Sequence, residues 1–474
     1  MPADDSPATS SRASQPSRRS AATIFAVAAV AAIALALAAS RWLRPAAFSP
    51  ASVVVVLVDT LRADHLGTYG YPRPTSPRLD RLAAEGVVFE QARSVAPWTN
   101  PTIASIFTGR HPHAVLDPHP HREAIRQALP ASLPTLAAKL SGAGLRTLAL
   151  VDHPGISPEL GFARGFDTFV QLYRELGTPI FGQADGDHLV AEVARHLQGL
   201  RGKRFFVYVH LIFPHRPYDA PPRYEEEFGP PTNVYREESR ERLINAYDAE
   251  IRFTDDVVGD LLGELGRVGL RDDSWVVLTS DHGEGFWEHG LAEHGNSLYD
   301  ELLRVPLVLV PPRAAGVPSR RVAASVSLVD LHATVLEMAG VARAENDGVE
   351  GSSLLDHVRG WKPSWAQRST DDVSSQQPHS GDVRSAALLR WPWKLVRRTE
   401  RKRPPLQLYD LATDPDERTN RAAAEPEIAR RLDAALGRHL ARDRAMLRAA
   451  SAEAETHDLD AESIERLKAL GYLD

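Results

Sequence analysis

Five short, continuously apolar runs follow Pro50: "SVVVVLVDT" (52–60), "TLALV" (147–151), "FFVYVHLIF" (205–213), "WVVLTSDHG" (275–283) and "VPLVLV" (305–310). They are rich in β-branched residues and do not alternate with polar ones. Such runs predict strands buried on both faces, as in a parallel sheet. Between them lie longer stretches with helical spacing, such as "SPRLDRLAAEGVVF" and "INAYDAEIRFTDDVVGDLLGELGRVG". The alternation predicts an α/β fold, a mostly parallel central sheet flanked by helices.

From about residue 311 ("PPRAAGVPSR") the rhythm changes. "SVSLVDLHATVLEMAG" reads as a helix closed by glycine. Residues 360–385 form a polar stretch expected to be an exposed loop. "AALLRWPWKLVRR" and "LQLYDLATDPDERTN" predict a small sheet with a turn. Ile428, Leu432, Leu436 and Leu440 recur every four residues, the apolar stripe of a helix packed on the body. A last short helix, "AESIERLKALG", ends at Gly471. A larger N-terminal region is therefore expected over 50–312 and a smaller C-terminal α+β subdomain over 320–474.

The first fifty residues are of another kind. Residues 1–20 are rich in Ser, Pro and Ala and are expected to be disordered. Arg18 and Arg19 precede an uncharged apolar run from Ala21 to Ala39. A run of about 20 such residues can span a bilayer as a helix. The flanking arginines and the ending "ALAAS" fit a membrane anchor or a cleavable export signal. The length of the run favours the anchor. Either way, the rest of the chain is expected on the extracytoplasmic side, periplasmic or extracellular.

Composition narrows the chemistry. At 474 residues the chain has room for two domains or one large elaborated one. A net charge of −7 gives no basic face for nucleic acid. The absence of cysteine excludes disulfides, thiolate metal sites and a cysteine nucleophile.

The polar residues that remain cluster where the apolar runs end. Asp59 closes the first run, as a functional carboxylate or as a helix N-cap. His210 and His215 end or follow the third, in "VHLIFPHRPYDAPPRY". The fourth leads into "TSDHGEGFWEHGLAEHG", which crowds Asp281, His282, Glu284, Glu288, His289, Glu293 and His294 into one Gly-containing loop. Carboxylate and imidazole groups suit Zn, Mn or a similar divalent ion. In open α/β sheets ligands bind beyond the carboxyl ends of the strands, so three segments aim polar residues at one edge. The stretch "HPHAVLDPHPH" adds His111, His113, His119 and His121; His113 is placed near the site, while His119 and His121 read as loop residues. Thr99 precedes Pro101 and a short helical run to Gly109. At a helix N-terminus a threonine caps the helix, or sits where free N–H groups gather an anion or favour a developing alkoxide.

Taken in order, "VDTLRADHLGTYGY", "TNPTIASIFTGR", "PHRPY", "SDHGEGFWEHG" and "HGNSLYDELLRVPLVLV" resemble the sulfatase family of the alkaline-phosphatase superfamily. "SLVDLHATVLEMAG" and "LQLYDLATDPDERTN" are similar to that family's C-terminal region, and the resemblance covers about residues 50–425. The family matures a cysteine or serine to formylglycine in a pattern like C-x-P-S-R-A-S-x-x-T-G-R. Here Thr99 stands at the reactive position, Ile103 at the supporting arginine, and Thr60 where a second metal-binding aspartate is usual. The resemblance thus speaks against formylglycine chemistry and a typical calcium site. Superfamily relatives such as lipoteichoic-acid synthases, phosphoethanolamine transferases and nucleotide pyrophosphatases/phosphodiesterases use a metal-activated threonine. Their ligands match Asp59, Thr99, Asp281 and His282 position for position.

The implied enzyme is a metal-dependent hydrolase or transferase of phosphate (phosphodiester) or sulfate esters. Its divalent ion, Zn or Mn rather than Ca, is held by Asp59, Thr99, Asp281 and His282. Thr99 is the nucleophile, and His215 and His294 bind the ester oxygens or protonate the leaving group. The expected substrate is a small-molecule, lipid-linked or glycan ester. Two alternatives stand beside it: a sulfuric ester hydrolase without formylglycine, and an inactive, membrane-tethered binding protein.

Overall fold

The seven residues Ser52–Val58 are all buried and form strand β1 near the middle of an eight-stranded sheet. In this computed structural model the described residues are 47–116, 127–178, 185–344, 347–361, 373–377, 385–398, 406–450 and 459–473. The other strands of the large sheet are β2 (Val87–Arg93), β3 (Arg146–Val151), β4 (Thr168–Gln171), β5 (Phe205–Leu211) and β6 (Ser274–Thr279). After a two-stranded ribbon of β7 (Gly285–Phe286) and β8 (Ala292–Glu293) come β9 (Leu307–Val310) and β10 (Arg320–Ser327). The order is β10-β2-β9-β6-β1-β5-β3-β4, and β9 alone runs antiparallel to its neighbours.

Apolar residues pack on both faces, as the continuous runs predict. Val53, Val55 and Leu57 of β1 enter one core with the helix Thr99–Thr108, and Val54, Val56 and Val58 enter the other with the long helix Arg240–Arg267. The alternation of side chains across a strand makes this division obligatory.

The smaller C-terminal part contains an antiparallel sheet of β11 (Val373–Gln377), β12 (Ser385–Arg390), β13 (Trp393–Arg398) and β14 (Leu406–Asp410). The helix Pro426–Ala450 buries Leu432, Leu436 and Leu440 against Leu388, Leu395 and Leu408. Residues 320–327, the start of the stretch expected to form the smaller C-terminal part, are strand β10 of the large sheet. β10 pairs in parallel with β2, and its inward residues Val322, Ala324 and Val326 belong to the large core. From Phe48 onward the chain forms one compact unit. Residues 1–20 and the apolar run 21–39 lie outside the described residues, as does most of the polar stretch 360–385. Among the described residues no helix is long and apolar enough to cross a membrane.

A buried ion cluster ties the small sheet to the segment before β9. Lys394 Nζ lies 2.7 Å from Asp300 Oδ1 and 2.9 Å from Glu417 Oε1, and Arg93 reaches the same Asp300 at 2.6 Å. Removing one partner of a buried pair leaves an uncompensated charge. Lys394→Met is therefore expected to lower unfolding stability by about 3–5 kcal/mol in a denaturant titration. A change under about 0.5 kcal/mol would show the cluster to be solvated.

Candidate active site

Strands β6, β1, β5 and β3 are adjacent and parallel, so their carboxyl ends open side by side. Each delivers chemistry at or just beyond that end: Asp281 and His282 after β6, Asp59 after β1, His210 as the last residue but one of β5, and His153 after β3. All five are fully buried. Register alone explains the gathering, because the parallel ladder aligns Leu57 with His210 and His210 with Val151.

The turn after β1 is strained. Thr60, a β-branched residue, has φ of 51°, a left-handed conformation such residues rarely adopt. It is held from both sides: Tyr247 donates to the Thr60 carbonyl at 2.7 Å, and the Thr60 N–H donates to Asp281 Oδ1 at 3.2 Å. The turn thereby sets Asp59 opposite Asp281.

Thr99 is supplied by the buried helix Thr99–Thr108. Its N-cap is Trp98, in extended conformation, and no side chain caps it. Thr99 itself is the first helical residue, so its hydroxyl is not spent on capping. The helix stops at Gly109, whose φ is 71° and whose N–H bonds Ser105 O. A Cβ at Gly109 would stand 2.8 Å from the His332 ring, so glycine answers both demands.

Around these groups the distances are short. His210 Nε2 lies 3.2 Å and His153 Nε2 3.9 Å from Asp59 Oδ2. His282 Nε2 is 3.6 Å from Asp59 Oδ1, 3.5 Å from Asp281 Oδ2 and 3.3 Å from Thr99 Oγ1. The outer nitrogens are also engaged. His282 Nδ1 pairs with the Gly283 carbonyl at 2.8 Å, so that nitrogen carries the proton and Nε2 offers its lone pair inward. Tyr208 OH lies 3.0 Å from His210 Nδ1. On the outer side, His294 Nδ1 lies 3.2 Å from Glu284 Oε1, and Tyr218 OH donates to the other Glu284 oxygen at 3.1 Å. His215 and His294 rings meet at 4.9 Å, and His294 and His282 at 4.5 Å.

The electrostatics call for a cation. Asp59 Oδ1 and Asp281 Oδ2 are buried without a hydrogen-bond partner. Among the described residues no lysine or arginine bonds either carboxylate. Burial, and then the charge of Asp281, pushes the Asp59 carboxyl well above its usual range. Burial holds His210 down at about 4 and His153 well below the ordinary imidazole range, so both rings are neutral. Burying two anions without compensation costs several kcal/mol per ion. Neutral imidazoles and paired carboxylates are what a divalent ion binds. Ligand atoms of Asp59, His210 and Asp281 all lie within 4.8 Å of one another, and His282 Nε2 is beside both carboxylates. Two carboxylates with imidazoles suit Zn or Mn better than Ca, which takes six to eight oxygens. The Thr60 hydroxyl is buried without a partner and adds no charge.

The family model described as Sulfatase matches residues 51–341. The chain belongs to the sulfatase family. It is 26% identical over 432 residues to the ulvan-active sulfatase of Formosa agariphila, covering 82% of this chain and 81% of that one. To arylsulfatase K of Xenopus laevis it is 33% identical over 199 residues, 40% of this chain, and the match spans about a third (35%) of that relative's length. The phosphonate monoester hydrolase of Agrobacterium radiobacter has a similar fold, with TM-score 0.68 and 19% identity over 83% of this chain and 96% of that one.

In this sulfatase-family chain the structure brings Asp59, Thr99, Asp281, His282, His215 and His294 to one place. Asp59 caps no helix, since the next helical turn, Ala63–His65, has Arg62 as its N-cap. Other members of the acidic loop turn away. Glu288 pairs with Arg62 at 2.7 Å, His289 pairs with Glu301 at 2.8 Å and stacks on Tyr299, and Glu293 pairs with Arg216. His111 lies near His439 instead, while His119 and His121 are outside the described residues. The sequence marks His210 but not its place beside the carboxylates, and two further site residues escape it. His153 belongs to an Asp152-His153 pair directly after an apolar run, the pattern of Asp281 and His282, and is findable that way. Tyr472 carried no signal at all.

Proposed function

We propose that this protein is a metal-dependent hydrolase or transferase of tetrahedral esters in which Thr99 is the nucleophile. One observation carries the reading: a helix-start threonine whose hydroxyl is free of capping faces His282 Nε2 at 3.3 Å, beside two unpartnered buried carboxylate oxygens. Asp59, Asp281, His210 and His282 would hold the divalent ion, which lowers the hydroxyl pKa and offsets charge on the ester oxygens. Its proton released to solvent, Thr99 Oγ would attack phosphorus or sulfur in line, an oxygen–phosphorus or oxygen–sulfur bond forming as the bond to the leaving alcohol breaks with its electron pair on oxygen. The free N–H groups at the helix start face the anionic group. His294, oriented by Glu284, and His215, which burial holds neutral, present ring nitrogens to the ester oxygens, and His294, when protonated, would give its proton to the leaving alcohol. Water, or a second alcohol, then releases the group from Thr99.

The substrate class is read from the site and from the names of similar proteins, an ulvan-active sulfatase and a phosphonate monoester hydrolase among them. We favour a phosphate ester, because no residue here can mature to formylglycine and Ile103 is apolar. The apolar run Ala21–Ala39 behind Arg18 and Arg19 supports an extracytoplasmic site beside a membrane, with a lipid-linked or glycan ester as substrate.

An activity screen of the full chain on an aryl sulfate, a phosphate monoester and a phosphodiester, with Zn, Mn and Ca supplied in turn, tests the reading. Turnover of a phosphate ester with Zn or Mn is expected. Sulfate ester turnover supported by Ca alone would assign the other ester class, and inactivity on all three a binding role.

A further inference from the structure

The hydroxyl of Thr99 has a second neighbour, 373 residues further along the chain: Tyr472 OH, at 3.0 Å. Its ring is 2% exposed. It stacks on His215 with centroids 5.4 Å apart and an interplanar angle of 23°. It also meets His294 at 5.8 Å and His153 at 5.5 Å. One phenol thus touches the proposed nucleophile and both histidines assigned to the ester.

The segment that carries it is firmly seated. The helix Ala461–Ala469 is capped by Asp460, which accepts from the Ser463 N–H at 2.9 Å and pairs with Arg174. Arg466 donates to the Thr178 carbonyl at 2.6 Å and lies over the Tyr173 ring. Leu467 is fully buried in the core beneath the sheet's Thr99 face. Gly471, at φ of 84°, turns the chain beside the Arg216 guanidinium, where a Cβ would collide. Tyr472 is therefore positioned by packing on both sides of it, as a group in an active site must be.

The site also lacks something that Tyr472 supplies. A tetrahedral ester brings oxygens that gain charge in the transition state and need donors aimed at them. Among the described residues no arginine or lysine bonds Thr99, whose partners are His282 and Tyr472. Ile103, at the position where the resembled pattern has an arginine, is fully buried in the apolar core.

We propose that Tyr472 is a further catalytic residue. Its phenol shares a hydrogen bond with Thr99 in the resting site and donates to an oxygen of the transferred group during displacement, while its ring seats His215. The proposal rests on the reading of Thr99 as nucleophile. The phenol keeps its proton throughout, and no bond to Tyr472 forms or breaks.

Tyr472→Phe in the full chain tests it, because the ring and its packing survive and only the hydroxyl is lost. The measurements are kcat and KM on a phosphodiester with Zn or Mn, the Kd for inorganic phosphate, and the Tm. The expected result is a kcat lower by about 10²-fold, phosphate binding weaker by about tenfold, and an unchanged Tm. Wild-type kcat and phosphate affinity in the variant would overturn the proposal. So would faster turnover with tighter phosphate binding in Tyr472→Phe or Tyr472→Ala, which would make the residue a plug over Thr99. The two readings fail separately. Full activity in Thr99→Ala removes the nucleophile, whereas full activity and phosphate binding in Tyr472→Phe, with Thr99→Ala inactive, removes only Tyr472.

Discussion

Thr99→Ala is expected to lower ester turnover by at least about a thousandfold while leaving the fold in place. The fold should survive because the hydroxyl is not a cap. The helix begins from an extended Trp98, and Thr99 Oγ1 meets the side chains of His282 and Tyr472 and lies beside Asp59. Loss of two such hydrogen bonds costs on the order of 1–3 kcal/mol in total, well below what unfolds a domain of this size. Rate and Tm measured on one preparation separate the two effects. Thr99→Ser should keep part of the activity, since the hydroxyl remains. Thr99→Cys, coexpressed with a formylglycine-generating enzyme, should not gain sulfatase activity, because Ile103 and Thr60 provide neither the supporting cation nor the further carboxylate. An aryl sulfatase activity of the unmodified chain that Thr99→Ala leaves untouched would sink the mechanism.

The second large effect concerns the carboxylate pair. Asp281→Asn, Asp59→Asn and His282→Ala should each abolish both metal retention and turnover. Metal analysis after dialysis reads the first, and the phosphate-ester assay the second. A stability measurement distinguishes a metal site from a merely polar one. If the ion binds the folded chain alone, adding it at about 100 times its Kd stabilises by about 2.7 kcal/mol. That increment should vanish in Asp59→Asn. In chelator, by contrast, Asp59→Asn should be more stable than wild type, because it removes one of two buried carboxylates that lack a compensating charge. Metal occupancy and rate unchanged in any of the three variants would show that the ion sits elsewhere.

The contrast between what was legible and what was not follows particular residues. β1, β5 and β6 could be read because a strand buried on both faces leaves an uninterrupted apolar run, and Asp59, His210 and Asp281 because each breaks or closes such a run. The helix of Leu432, Leu436 and Leu440 was legible from its four-residue spacing. β10 is not legible as a strand, since at the edge of the sheet it carries exposed Arg321 and Ala323 among its buried residues. The acidic loop from Glu284 to His294 shows the converse: five titratable residues look alike in sequence, yet Glu288, His289 and Glu293 face Arg62, Glu301 and Arg216.

By itself the sequence determined the α/β architecture, the family motifs and the identity of Thr99, because burial periodicity and local motifs are written in neighbouring residues. Only the tertiary structure decided which polar groups share the site. The pairing order β6-β1-β5-β3 brings His153 and His210 beside Asp59, and no local pattern encodes strand order. Tyr472 reaches Thr99 across 373 residues, through packing of Leu467 and the turn at Gly471, interactions that exist only once the chain has folded on itself.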